Sequence, residues 1–232
     1  WIERLIVTRA KVCIVYHGNF DKIFAPMVDN TQLKKRLGIR NNRICIGLIG
    51  EIRQNRGHEL AIESIRNIES AQLLIAGRCK DSAYLTLLTE RINNYGLGDR
   101  VKLVSKNLTD SEFNEFLAAS DVSLLPYKDI TTSGALLASW TVGTPVVASR
   151  LPYFSEMIEG KDNIGTLFDI NSPLSLTRIL KDLSNEYTHE YWIERRKQTL
   201  DEAKKYNWDS VILPLVTEIN SQITLHEADK LN

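Results

Sequence analysis

Six short apolar runs, at 44–49, 72–76, 101–104, 122–125, 145–148 and 164–168, punctuate the chain from Arg43 onward. Between the first five lie stretches of helical period at 57–68, 82–95, 110–119 and 133–142. The third opens on Thr109-x-x-Glu112, a pairing in which each residue satisfies a backbone N–H at the start of a helix. A strand that re-enters its sheet after a helix lies parallel to its predecessor. The alternation therefore predicts an α/β fold, a Rossmann-like doubly wound parallel sheet with helices on both faces. After Phe168 the pattern is helical, at 172–183, 190–205 and, past a break at Tyr206-Asn207-Trp208, from 209 to about 224, so C-terminal helices follow the sheet. On such sheets ligands bind at the carboxyl ends of the strands, which makes the strand-to-helix loops the places to look for chemistry.

The remainder of the chain bounds the alternatives. Residues 2–9 suit a short helix and 11–16 an apolar strand, followed by a helix at 31–37 that Gly38 ends, but these form no complete layer. We expect 1–40 to be the tail of a preceding domain plus a linker, 41–206 the Rossmann-like domain, and 207–232 a C-terminal crossing helix and tail. A chain that starts at Trp1 is expected to be a piece of something longer. Within the 232 residues, 29 Lys and Arg balance 29 Asp and Glu, which argues against bulk nucleic-acid or anionic-membrane binding and requires any anion site to be local. Cys13, Cys45 and Cys79 are odd in number, without CxxC spacing, and are expected to be small buried hydrophobes in a reducing compartment. No run approaches the length of a membrane span and no signal-peptide pattern opens the chain; a cytoplasmic location is expected.

Two loops carry candidate chemistry. In Gly50-Glu51-Ile52-Arg53-Gln54-Asn55-Arg56-Gly57, a glycine at a strand end admits close backbone approach, and Arg53 and Arg56 bracket a helix start, an arrangement able to clamp a diphosphate. In the second, Thr131, Thr132 and Ser133 supply hydroxyls. Ser133, Gly134 and Ala135 supply backbone N–H groups that have no intrahelical partner and point where the helix dipole favours an anion. Ser105, Asn107 and Leu108, directly after another strand, could hold a nucleobase by backbone groups. Glu156 could accept from ribose or sugar hydroxyls, or sit in the first turn of a helix. Neither a Walker nor a GxGxxG spacing is present. The four histidines are scattered with no metal cluster or triad, no metal ligand is assigned, and Asp-x-Asp and Gly-x-Ser-x-Gly are absent.

The ordered set Gly50-x5-Arg56-Gly57, Leu73-Leu74-Ile75-Ala76-Gly77, Asp99-Arg100-Val101-Lys102-Leu103, Ala119-Ser120-Asp121-Val122-Ser123-Leu124-Leu125-Pro126 and Gly143-Thr144-Pro145-Val146-Val147-Ala148-Ser149 resembles the C-terminal, donor-binding half of GT-B-fold glycosyltransferases of the retaining family 4 (group 1) type. His17-Gly18-Asn19-Phe20-Asp21-Lys22-Ile23-Phe24 looks like that family's interdomain junction. Tyr206-Asn207-Trp208-Asp209 looks like the segment before its helix crossing back to the N-terminal domain. The resemblance implies a metal-independent hexosyltransferase without a cofactor. Its substrates would be a nucleotide-diphosphate sugar and a glycan or lipid-linked acceptor in polysaccharide biosynthesis; its partners would be the chain's own N-terminal domain, through which it would associate peripherally with membrane, and no nucleic acid.

By the same resemblance, Arg56 stands where the family has a lysine, and Arg53 replaces the arginine usually found at the position of Glu51; both would neutralise the leaving diphosphate. The family's Glu-x7-Glu pair falls on Ile130 and Ala138, so Asp129 or Thr131 would take over a sugar contact. The isolated piece is expected to bind nucleotide and transfer little sugar. A degenerate nucleotide-binding module without catalysis, or another GT-B enzyme such as a nucleotide-sugar epimerase, remains an alternative. A flavodoxin-like receiver would need acidic strand ends where this chain has a basic loop.

Overall fold

The computed structural model describes residues 13–185 and 188–229. The helix expected at 2–9 lies outside them, as does the start of the strand expected at 11–16; residues 13–16 form no strand, which corrects that expectation for the described part. Six parallel strands form one sheet: β1 (Ile44–Ile49), β2 (Ala71–Gly77), β3 (Val101–Ser105), β4 (Val122–Leu125), β5 (Val146–Ser149) and β6 (Gly165–Phe168). Their order is β3-β2-β1-β4-β5-β6, so the winding reverses between β1 and β4, and the ends of these two strands open a crevice.

Alternation along the strands supplies two cores. Ile44, Ile46 and Leu48 of β1 join the cluster formed with α2 (His58–Ser64), α3 (Ser82–Asn94) and α7 (Pro173–Asn185). Cys45 and Ile49 join that of α1 (Thr31–Arg36), α4 (Asp110–Ala119) and α5 (Gly134–Thr141). Trp140 of α5 and Phe154 of α6 (Pro152–Ile158) sit in a third cluster beside β5. The helix expected over 57–68 ends at Ser64, because residues 65–67 close it in a turn. Of the three cysteines only Cys45 is buried. Cys13 and Cys79 are partly exposed, which corrects the expectation for those two.

The segment before β1 packs on the sheet. Phe24, Leu33 and Ile39 are buried in the second cluster. Lys34 forms a 2.5 Å ion pair with Asp121 while both side chains are almost wholly buried. The Asp121 carboxylate also accepts from the Cys45 N–H (2.7 Å) and the Asn30 amide (3.1 Å). Beside it, Arg196 of α8 (His189–Ala203) donates to the carbonyls of Met27, Ser120 and Ala118 and to the Thr144 hydroxyl. Carbonyl dipoles and the Asp121 charge thus compensate two buried cations.

The last helix, α9 (Trp208–Asp229), differs from all the others. Its apolar residues Ile212, Leu213, Val216, Ile219 and Ile223 are exposed, from 41% to 60%. No helix among the described residues is long and apolar enough to cross a membrane.

Candidate functional site

A cleft of about 290 Å³ opens at the point where the strand order reverses, between the loop after β1 and the start of α5. The two loops that flank it are fastened to each other. Asn55 donates through its side chain to Asp129 at 3.0 Å and accepts from the Lys128 N–H through its backbone carbonyl, also at 3.0 Å. Gly57, with φ +71°, ends the short 3-10 turn Gln54–Arg56 in the left-handed region, and a Cβ there would lie 2.1 Å from the Pro126 carbonyl oxygen. Only glycine permits so close an approach of the loops.

Of the residues expected to act, Gly50, Arg56, Leu108, Gly134 and Ala135 line this cleft. The Arg56 guanidinium lies 3.9 Å from the centre of the Tyr127 ring, a cation–π contact that holds the charge at the mouth. Burial raises the Tyr127 phenol above its ordinary pKa, against the pull of Arg56, so it stays a neutral platform. The Ser133 hydroxyl accepts from the Leu136 N–H at 3.2 Å, capping α5, and the Tyr153 hydroxyl sits at the Ser133 N–H. Among the described residues no group accepts from the Gly134 or Ala135 N–H, and these two are left facing the cleft.

The other expected residues lie elsewhere. Arg53 is half exposed and directed to Glu51 at 3.5 Å, outside the cleft wall, and Glu51, which does line it, also meets Lys80 at 3.5 Å. Ser105, the last residue of β3, and Asn107 in the loop after it are exposed, leaving only Leu108 of that loop on the wall. Thr131 and Thr132 are exposed, Ser133 is spent as the cap, and Asp129 is engaged by Asn55. Glu156 is exposed on α6 and accepts from the Tyr16 hydroxyl at 2.5 Å, an interaction that raises the Tyr16 pKa.

Other lining residues had no signature in the sequence. His58, the first residue of α2, is 2% exposed. Burial lowers its pKa to about 4, its ring sits beside the Arg53 backbone carbonyl, and its Nδ1 has no hydrogen-bond partner. Phe20 and Phe24 come from the segment before α1, and Phe113 from α4. Their rings form a ladder, Phe20 on Phe24 at 5.4 Å and Phe24 on Phe113 at 5.6 Å. Asp110 opens α4 on the same wall. Phe20 and Phe24 lie in the junction stretch His17 to Phe24 and Phe113 in the helix expected at 110–119, but nothing in their spacing joins the two segments. Ala138 lines the cleft and Ile130 packs into the third apolar cluster, so neither position offers a hydroxyl partner. No grouping of three or more potential metal ligands occurs among the described residues.

Residues 29–205 match the family model described as glycosyl transferases group 1. The chain is 28% identical over 153 residues to the lipopolysaccharide core biosynthesis mannosyltransferase LpsB of Rhizobium meliloti, covering 63% of this chain and 43% of that protein. It is 25% identical over 171 residues to the O-antigen biosynthesis glycosyltransferase WclY of Escherichia coli, covering 74% and 46%. It thus spans less than half the length of these relatives. Among solved structures, Anabaena HepE, crystallised with UDP and glucose, superposes with a TM-score of 0.74 at 18% identity over 89% of this chain and 56% of that one, a likeness of fold. With a six-stranded sheet of matching architecture and a family model spanning most of its length, the chain belongs to the glycosyl transferases group 1 family.

Proposed function

We propose that the chain is the donor-binding half of a glycosyltransferase that moves a hexose from a nucleoside-diphosphate sugar to a glycan or lipid-linked acceptor in the synthesis of a bacterial surface polysaccharide. One observation carries this: Arg56 and the two unpartnered N–H groups of α5 converge on one cleft at the strand-order reversal. Breaking the bond from the anomeric carbon to phosphate leaves charge on the diphosphate. A fixed guanidinium and a helix N-terminus already aimed at that charge stabilise the departing group without reorganising. The names of the lipopolysaccharide and O-antigen relatives support the acceptor class, and the HepE complex supports a nucleotide donor.

The rest of the transferase docks, in this reading, on α9. Trp208, at its start, lies flat against Gly18, where a Cβ would fall 2.4 Å from the indole. Asn19 ties the two segments by its N–H to the Tyr206 carbonyl (2.6 Å) and its amide to that of Ala203 (2.9 Å). Both ends of the domain therefore leave side by side, with the bare apolar face of α9 beyond them.

The arginines supply the test. By calorimetry with nucleoside diphosphates on the full-length protein, Arg56→Ala should weaken binding roughly tenfold or more, and Arg53→Ala no more than about threefold. Equal losses, or none, would remove Arg56 from the role. Ala138 on the cleft wall favours a second reading, a module that binds nucleotide and transfers nothing. Donor turnover by the full-length protein separates the two.

A further inference from the structure

Resting on the nucleotide-sugar reading of the cleft, we propose that His58 is a proton-linked member of the diphosphate clamp. Neutral while the cleft is empty, its ring takes up one proton when a nucleotide sugar binds and becomes a second cation beside Arg56.

The place of the ring carries this. His58 lines the cleft together with Arg56, Gly134 and Ala135, and is 2% exposed. One ring nitrogen donates to the Arg53 backbone carbonyl, which anchors the imidazole to the turn that bears Arg56. The other, Nδ1, has no hydrogen-bond partner among the described residues. A proton can therefore be added there without breaking an existing bond. Burial disfavours a charged ring and Arg56 repels it, so the ring of the free protein has a pKa of about 4.

The groups packed around it set the terms of that balance. From α3, Tyr84 meets the ring edge-on at 6.2 Å between centroids, and burial pushes its phenol up to about 12. Across the cleft burial likewise raises Tyr127, so both phenols stay neutral. Glu59, next along α2, is paired with Arg91 at 2.7 Å, and Glu51 with Arg53 and Lys80. Asp110 faces the cleft from α4.

A nucleotide sugar brings the countercharge that the empty cleft lacks. Its diphosphate carries two negative charges, and one opposite charge within about 4 to 6 Å favours a charged group by roughly one to three powers of ten in proton affinity. The proton passes from solvent to Nδ1, and the bond to the Arg53 carbonyl stays as it is. When the bond to the sugar breaks, the diphosphate gains a further charge, so the imidazolium favours the departing group over the intact donor. The proton returns to solvent when the diphosphate leaves.

Calorimetry on the full-length protein tests this with UDP-glucose, GDP-mannose and ADP-glucose, because an esterified diphosphate takes up no proton of its own near neutrality. For a donor that binds, wild-type affinity should fall about tenfold between about pH 5 and 7, and heats in two buffers of different ionisation enthalpy should show uptake of about half a proton or more per ligand at about pH 6. His58→Gln, which keeps an amide for the Arg53 carbonyl and does not titrate, should lose both the slope and the uptake. Should that variant not fold, the imidazole 15N resonances of wild type with and without donor at about pH 6 decide: a ring that stays neutral on binding overturns the proposal. No uptake by wild type, or the same slope and uptake in the variant, would overturn the role of His58 and leave the diphosphate cleft standing. Failure of all three donors to bind at any pH would overturn the nucleotide reading itself, and this inference with it.

Discussion

Acidification to about pH 5 should remove about 2 kcal/mol of stability through His58 alone. The ring is 2% exposed, beside Tyr84 at 6.2 Å between centroids, with the positive Arg56 nearby, so it is held neutral with a pKa near 4 against 6.5 for the unexcluded group. The sign follows. Between these values the unfolded chain binds the proton and the folded chain does not, so stability is full above about pH 6.5 and falls as the pH drops toward about 4. At 1.36 kcal/mol for each tenfold difference in proton affinity the whole effect is about 3 kcal/mol, of which about 2 is spent by pH 5. Carboxylates held low by partners, such as Asp29 and Glu202, titrate in the same direction at lower pH, so the informative quantity is a difference between proteins. Urea unfolding of wild type and His58→Gln, followed by tryptophan fluorescence from about pH 7.5 to 5, provides it. Gln retains an amide for the Arg53 carbonyl and does not titrate. The stability gap should move by about 2 kcal/mol in favour of the variant across this range. Parallel profiles would refute the claim that His58 is buried neutral.

Two further substitutions probe the packing around the site. Gly57→Ala places a methyl 2.1 Å from the Pro126 carbonyl at φ +71°, and should lower stability by about 3 kcal/mol in thermal denaturation, with loss of diphosphate binding as the loops part. Asp121→Asn removes the negative charge that pairs with the Lys34 ammonium, whose side chain is 1% exposed. It should cost about 3 to 5 kcal/mol by the same assay, part of which the added change Lys34→Met restores.

The sheet was legible because its evidence is local. Apolar runs bounded by turns predict each strand, with the run at 44–49 and that at 122–125 matching β1 and β4 end for end, and Thr109 and Glu112 do form the expected box. The cleft was legible only as far as strand order could be inferred. Gly50, Arg56, Gly134 and Ala135 follow β1 and β4, the strands that flank the reversal, whereas Ser105 ends the edge strand β3, Asn107 follows it, and neither lines the cleft. Arg53 and Arg56 look equivalent in the sequence; the turn at Gln54–Arg56 separates them, sending one to Glu51 and the other over Tyr127. Phe20 and Phe24 were hidden for a different reason. They precede the whole sheet, and only the folding of that segment onto α4 brings Phe24 into ring contact with Phe113 and sets Phe20 on Phe24.

The polar side chains of the second loop were expected to meet ligand, and the structure engages two of the four, Asp129 and Ser133, within the protein. Ser133 caps α5 and Asp129 is taken by Asn55, each withdrawing a side-chain oxygen from the cleft. That use has a physical advantage. Backbone N–H groups aimed at a charge stabilise it only if the loop does not have to be ordered when the charge arrives, since ordering a few residues costs about as much as one such interaction returns. Here the order exists beforehand, in the Asn55 bridge, the Gly57 contact and the Ser133 cap. Sequence patterns that identify ligand contacts by side-chain polarity therefore point to other atoms in this loop than the N–H groups the structure leaves unpartnered. The groups left free for an anion are the N–H of Gly134 and Ala135, which any residue but proline would offer, at a position that only the fold can choose.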